Sequence, residues 1–404
     1  MSRPPLDGIR VVDFCWAWAG PYGSLQLSHL GADVIRIESA KRLCPSRLIP
    51  PWPDNESGVN RAGYFNQYNQ GKRSLTLDLK APEAIDIAKT LVSKSDIVMN
   101  NFASGVMEKL GVGYDVLRRI KPDIIMASLP GYGTSGPEKD FVSYGPPQVA
   151  QSGLSALTGY VGGPPMMAGF SYGDPNGGVH ATFAVMAALL HREKTGQGQY
   201  IDLSQWEAAI MLLPEALMDY SMNGTQPERM GNRDPHMAPH GVFRSKGDDR
   251  WVSLSIRDEA EWQRLCEVMG QPELSADARF ASLAARKENE AALEEIVTAW
   301  TQERTADEAT QALQNAGIPA YPTLDAIDMV NSPHVGARDY FVELEHPEVG
   351  TRRHMGIPWT MSRTPCEIRR PAPCLGQDTD AVLADIVGLS RDEIAALREK
   401  DILT

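Results

Sequence analysis

Short apolar runs alternate with segments of helical period through the first third of the chain. Gly8 to Phe14 (GIRVVDF) reads as a buried strand, Tyr22 to Leu30 has helical spacing, and Asp33 to Ile37 (DVIRI) reads as a second strand. Strand, helix and strand in such close succession predict a parallel α/β unit. The pattern then repeats: a short strand at Ser74 to Leu77, a helix at Pro82 to Ser93, and strands at Asp96 to Met99 and Asp123 to Ser128. Residues 39 to 70 break it, being irregular and rich in Pro, Asn and Arg. A connection that long inside an α/β domain is a functional loop or one that wraps a partner.

The chain is organised around Gly169 to Ser204. There a polar, glycine-rich turn (GFSYGDPNGG) leads into the apolar run Val179 to Leu190, then into HREKTGQG and the short strand QYIDLS. Asp174-Pro175 predicts a helix start, with Asp as N-cap and Pro at the first helical position. Gly173, Gly177 and Gly178 leave the Asp174 carboxylate open to close approach by a ligand. A carboxylate at a helix N-terminus stays ionised and can serve as a covalent nucleophile. Upstream, Gly131 to Gly136 (GYGTSG) matches G-x-G-x-x-G after a strand, but Pro137 and Gly145-Pro146-Pro147 follow where a nucleotide-binding helix would open. The match therefore reads as a turn, which removes the case for a nicotinamide-dependent dehydrogenase.

Gln205 to Met222 predicts one apolar helix, followed by a polar linker over 223–240. A smaller α+β domain is expected over 241–325, with strands near Gly241 to Arg244 and Trp251 to Ile256. Its helices are expected near Glu259 to Met269 and Lys287 to Arg304, and AGIPAYP closes it. The remainder, 326–404, reads as linker, two strands, a Pro-rich passage and two amphipathic helices. The expected division is thus 1–222, 223–240, 241–325 and 326–404.

Charge and cysteine content narrow the function classes. A formal net charge of −13 over 404 residues argues against nucleic acid or an anionic membrane as the main partner. No signal-peptide layout and no membrane-length apolar run is present, and five scattered cysteines without a C-x-x-C pair fit reduced thiols. A cytoplasmic protein without a disulfide framework or metal site is expected.

Taken in order, LDGIRVVDF, AGP, LGADVIRIE, QGKRSLTLDLK, NNF, GVMEKLGVGYD, GYGTSGP, GDPNGG, AALLHREKTGQGQYIDLS, GIPAYP and RRPAPCLGQDT resemble the class III CoA-transferase family. This is the formyl-CoA and carnitine CoA-transferase (CaiB/BaiF-like) type, which also holds the α-methylacyl-CoA racemases. The resemblance spans nearly the whole chain. It implies a Rossmann-like large domain from both chain ends, a small domain, and interlocked dimers, either of one chain or of two related chains. It also implies coenzyme A thioesters as substrates with no tightly bound cofactor. Asp174 matches the nucleophile that forms an aspartyl anhydride with the donor acyl group and then an aspartyl-CoA thioester.

The resemblance further implies coenzyme A contacts from Trp18, Ala19, Asn101 and Lys109, and from the basic pair Lys72-Arg73 near the phosphates. Trp16, Tyr22, Tyr144, Met166, Met167 and Tyr172 are expected to line the acyl pocket, with Gly177 and Gly178 offering N–H groups to an oxyanion. The racemase branch has a His where this chain has Tyr144, and Tyr is poorly matched to two-base proton exchange near neutrality. Transfer is therefore favoured over racemisation, and the intact GDPNGG turn speaks against a non-catalytic subunit of a heteromeric transferase. The aromatic and thioether residues suggest a bulky aryl or branched acid acceptor, as in an aryl- or alkylsuccinate-type transferase, with succinyl-CoA as donor.

Overall fold

The structure, a computed structural model, describes residues 3–404. Its first unit comprises the described residues 3–155, 167–226 and 336–404; the second comprises 156–166 and 227–335. Both chain ends thus meet in the first unit. The short segment 156–166, expected in the larger domain, belongs with the second unit, as does most of the stretch expected to be a linker.

In the first unit the chain runs through β1 (Arg10–Asp13), α1 (Ala19–His29), β2 (Asp33–Glu38), α2 (Gly63–Tyr68) and β3 (Arg73–Thr76). It continues through α3 (Pro82–Ser93), β4 (Ile97–Asn100), α4 (Val106–Lys109), α5 (Tyr114–Ile120) and β5 (Ile125–Ser128). Then come α6 (Gly145–Gln151), α7 (Leu154–Leu157, whose last two residues fall in the second unit), α8 (Gly173–Thr195), β6 (Tyr200–Asp202), α9 (Gln205–Ile210) and α10 (Pro214–Asn223). The six strands form one parallel sheet in the order β3-β2-β1-β4-β5-β6. Strand order reverses between β1 and β4, so the crevice beyond their carboxyl ends is where an open α/β sheet takes its ligand.

The central strands are buried on both faces, with apolar residues sorted to two sides and the charges of Asp13, Arg36 and Glu38 buried among them. Val12, Ile35, Leu75, Val98 and Met126 pack on one side with Ile87, Leu91 and the C-terminal Leu383 and Ile394. Val11, Val34, Met99 and Ala127 pack on the other with Leu27, Ala181 and Val185. On that second face α1 and α8 lie unusually close. A Cβ on Gly178 would stand 2.6 Å from Ala19 O and 3.0 Å from Gly23 N. Both are backbone atoms that cannot swing aside, so glycine at 178 sets the helix spacing. Gly177 likewise packs against Gln205, at 2.9 Å for a built Cβ. Both glycines therefore face inward in the second turn of α8, where backbone N–H groups belong to the helix. That overturns their expected role as oxyanion donors in the pocket.

Other differences have local causes. The apolar segment after Gln205 forms two helices, because Pro214 cannot continue α9 and instead opens α10. The GYGTSG turn is closed by Asp202, whose carboxylate accepts from Thr134 N and Oγ1. No helix opens before Gly145, as expected.

The second unit has an antiparallel sheet of β7 (His240–Arg244), β8 (Trp251–Ser255) and β9 (Ala320–Pro322) in that order. Against it pack α11 (Glu259–Met269), α12 (Leu283–Glu288), α13 (Glu290–Gln302) and α14 (Ala306–Asn315). Trp262, Leu265, Val297, Trp300 and Leu313 fill its core. No helix among the described residues is long and apolar enough to cross a membrane.

Candidate active site

At the reversal point, the loop after β1 is held by the residue after β4. Asn101 Oδ1 accepts from Trp16 N at 2.7 Å, and Asn101 Nδ2 donates to Trp16 O at 2.8 Å. Ala17 follows with φ of 57°, a left-handed conformation that costs a non-glycine residue energy and clusters at functional sites. Its N–H reaches Cys44 Sγ at 3.3 Å. The Arg42 guanidinium lies 4.8 Å from the Trp16 ring centre, on a loop that sequence patterning left blank.

This strained loop delivers Ala19 as the first residue of α1, and Asp174 comes to meet it. The Ala19 N–H faces the Asp174 carboxylate, and the Ser171 hydroxyl donates to its Oδ2. Asp174 is therefore not the N-cap of its own helix: α8 begins at Gly173, Tyr172 stands at the cap position, and Pro175 sits inside the first turn. The carboxylate instead faces the first N–H of α1, whose cap residue Trp18 provides no side-chain bond. It thus lies where the positive ends of two helices meet. Burial nevertheless raises the Asp174 carboxyl above the usual range, against the pull of Ser171 and Ala19. Gly145 is packed so tightly here that a Cβ would collide with both Ser171 Oγ and Asp174 Oδ2.

Aromatic rings surround this point. Trp18 meets Tyr64, Tyr68 and Phe170 at centroid distances of 5.6, 5.3 and 6.3 Å, and Phe170 meets Tyr172 at 5.4 Å. Tyr22 meets Tyr68 at 5.9 Å. Tyr64 and Tyr68 went unnoticed in the sequence because α2, GYFNQY, is six residues long and shows no apolar period. Spaced four apart, they share one helix face. Burial and the neighbouring phenols push Tyr68 up to about 12, and burial with Tyr68 and the charge of Asp174 pushes Tyr64 higher still. Both phenols thus stay protonated donors. On the other side of α2, Phe65 is buried against two guanidinium groups, Arg47 at 3.5 Å and Arg36 at 5.2 Å from its ring centre. Arg47 in turn forks onto Glu38, at 2.9 and 2.7 Å, so α2 is anchored through charge-assisted bonds. Those arginines hold the Glu38 carboxyl down to about 2 despite burial.

The basic pair lies elsewhere than expected. Lys72 has no solvent exposure, and its Nζ is spent on Asp13 Oδ2, Ser24 Oγ, Pro21 O and Asn69 Oδ1 at 2.8 to 3.2 Å. Arg73 opens β3 at the amino edge of the sheet and pairs with Asp33. It lines a separate cavity of about 250 Å³ with His29, Arg369 and Arg370. Lys72 is enclosed by protein groups beneath the reversal point and Arg73 lies at the opposite edge of the sheet, so neither takes the expected place beside a phosphate. Lys109 is exposed at the end of α4, beyond the carboxyl end of β4. Tyr144, Met167 and Tyr172 are exposed residues of the first unit, whereas Met166 belongs to the second.

The sequence model of CoA-transferase family III matches residues 6–379. The chain belongs to this family. Succinyl-CoA–D-citramalate CoA-transferase of Chloroflexus aurantiacus is 32% identical over 404 residues, covering 100% of this chain and 99% of that protein. Succinate–glutarate CoA-transferase of Agrobacterium fabrum is 32% identical over 391 residues, covering 96% and 97%. Among solved structures, a CAIB/BAIF family protein from Brucella suis superposes with a TM-score of 0.86 at 29% identity, covering 96% of this chain and 100% of that one. The chain is an acyl-CoA:carboxylate CoA-transferase of family III, with acyl-CoA thioesters and organic acids as the substrates that fit.

Proposed function

We propose that Asp174 is the nucleophile of a transferase that moves CoA from succinyl-CoA to a branched or aryl organic acid. The observation that carries this reading is the placement of Asp174: one carboxylate, at the reversal point of the sheet, held by the Ser171 hydroxyl, facing the Ala19 N–H and walled by aromatic rings. The carboxylate attacks the donor thioester carbonyl, and the C–S bond breaks to give an aspartyl anhydride and CoA thiolate. The thiolate attacks the aspartyl carbonyl, the donor leaves as succinate, and an aspartyl-CoA thioester remains. The acceptor carboxylate runs both steps in reverse. Nearby water would hydrolyse either intermediate, which gives the apolar wall a purpose.

Two relatives named for succinyl or succinate as one partner support that donor. Burying an aryl or branched body against Trp18, Phe170 and the two tyrosines would contribute about 1.5–3 kcal/mol. The expected order of kcat/KM with succinyl-CoA is therefore benzylsuccinate and phenyllactate above succinate, and succinate above oxalate. A preference for oxalate would refute the bulky acceptor. A mass increase on the Asp174 peptide after mixing with succinyl-CoA would support the nucleophile.

The reading includes a dimer. Phe183 on α8 is 75% exposed and Met222 on α10 is 73% exposed, with Val179, Leu190, Leu217, Met218 and Tyr220 also open along these helices. Such open apolar surfaces suit a protein partner. Light scattering on the purified chain is expected to give twice the 44.3 kDa chain mass. A monomeric, active chain would exclude a homodimer as the working form.

A further inference from the structure

We propose that Ser171 is a second catalytic residue, whose hydroxyl donates to the oxyanion that forms on Asp174 itself during thioester formation. The proposal rests on Asp174 being the nucleophile. Ser171 lies outside the helices, three residues before Asp174, and its hydroxyl is directed at Asp174 Oδ2. The Asp174 N–H in turn donates to Ser171 O at 3.2 Å, so the two residues are tied together through main chain and side chain. Across from them, Gly145 leaves open the notch in which Ser171 Oγ and Asp174 Oδ2 meet; any side chain there would fill it. The Ala19 N–H approaches the same carboxylate from α1.

The consequence follows from which oxygen is engaged. Oδ1 attacks the donor carbonyl, the C–S bond breaks, and CoA leaves as thiolate. Oδ2 remains as the aspartyl carbonyl oxygen, still under the Ser171 hydroxyl. When the thiolate adds to Cγ, the C=O electron pair moves onto Oδ2 and creates a full negative charge. That intermediate collapses by breaking the Cγ–Oδ1 bond, releasing the donor carboxylate and leaving aspartyl-CoA. Ser171 keeps its proton throughout. Its hydrogen bond is stronger to the oxyanion than to the neutral carbonyl before it, which is the condition for lowering the barrier. The acceptor's attack on aspartyl-CoA passes through the same charge on Oδ2.

A merely electrostatic role, in which Ser171 only favours the ionised form of Asp174, gives a different signature. Ser171→Ala would then shift the acid limb of the kcat–pH profile upward and regain full rate in alkali. As an oxyanion donor its loss lowers the plateau itself, by about 10²–10³-fold, with KM for the donor thioester changed less than about threefold. Because Ser171 is half-exposed and outside regular structure, the variant folds, which a thermal melt verifies. Rapid quench with succinyl-CoA is expected to show the succinyl mass building up on the Asp174 peptide, ahead of the CoA mass. A plateau equal to that of the unmodified enzyme, or aspartyl-CoA formed at the unmodified rate, would overturn the proposal. Failure of the unmodified enzyme to acquire any mass on Asp174 would instead overturn the underlying nucleophile.

Discussion

Asp174→Asn abolishes CoA transfer and leaves the melting temperature unchanged or higher. The loss of rate, about 10⁴-fold or more, follows because an amide cannot form the anhydride. The stability part follows from the surroundings of the carboxylate. Burial raises its pKa in the folded state above the unfolded value of 3.8, so near neutrality the folded protein bears the cost of an ionised, desolvated group. That cost is relieved only as the pH falls through the folded pKa towards 3.8, and the neutral amide removes it at every pH. The amide oxygen still faces the Ala19 N–H, and the amide N–H₂ can donate to Ser171 Oγ. Asp174→Ala behaves differently, because the Ser171 hydroxyl loses its acceptor and the Ala19 N–H is left facing a methyl group, at about 1–3 kcal/mol. Thermal melts of the two variants at neutral pH, beside an assay with succinyl-CoA, check both parts. Turnover by Asp174→Asn, with deamidation excluded by mass spectrometry, would remove Asp174 from the chemistry.

The N-cap reading of Asp-Pro gave a different expectation, in which either replacement costs stability. It failed because local sequence cannot show that α1, some 150 residues earlier in the chain, offers an uncapped N–H to Asp174. The parallel sheet, by contrast, was legible strand by strand, since strands buried on both faces leave continuous apolar runs. The position of Asp174 at a helix start was legible for the same kind of reason, from a polar glycine turn before an apolar run. Tyr64 and Tyr68 were not, because α2 owes its existence to Phe65 held by Arg36 and Arg47 rather than to any period of its own. Nor was the burial of Lys72 legible. In QGKRS a lysine before a strand reads as a surface charge, and only the fold brings Asp13 beneath it.

That misreading supplies the second large expected effect. Lys72→Met destabilises the protein by about 3–5 kcal/mol, because Asp13 is left charged, fully buried and without its cationic partner. Ser24 Oγ at 2.6 Å and the Cys15 N–H at 2.9 Å still hold the carboxylate, and Arg36 helps to keep its pKa low. None of them replaces the ammonium. Pairing the change with Asp13→Asn removes the stranded charge, so Asp13→Asn/Lys72→Met is expected to recover much of the loss in a double-mutant cycle. Lys72 also ties three segments at the reversal point: Asp13 ends β1, Pro21 and Ser24 belong to α1, and Asn69 follows α2. Loosening that tie moves the Ala19 N–H relative to Asp174 and so lowers kcat, while KM for the CoA thioester stays near its original value. A phosphate contact would give the reverse: stability kept, KM raised, and a weaker dependence of KM on salt. Denaturant titration of the single and double variants, with KM measured at two ionic strengths, separates the two roles. A stable Lys72→Met with a raised KM would return Lys72 to the ligand, and would require the buried pair with Asp13 to open when CoA binds.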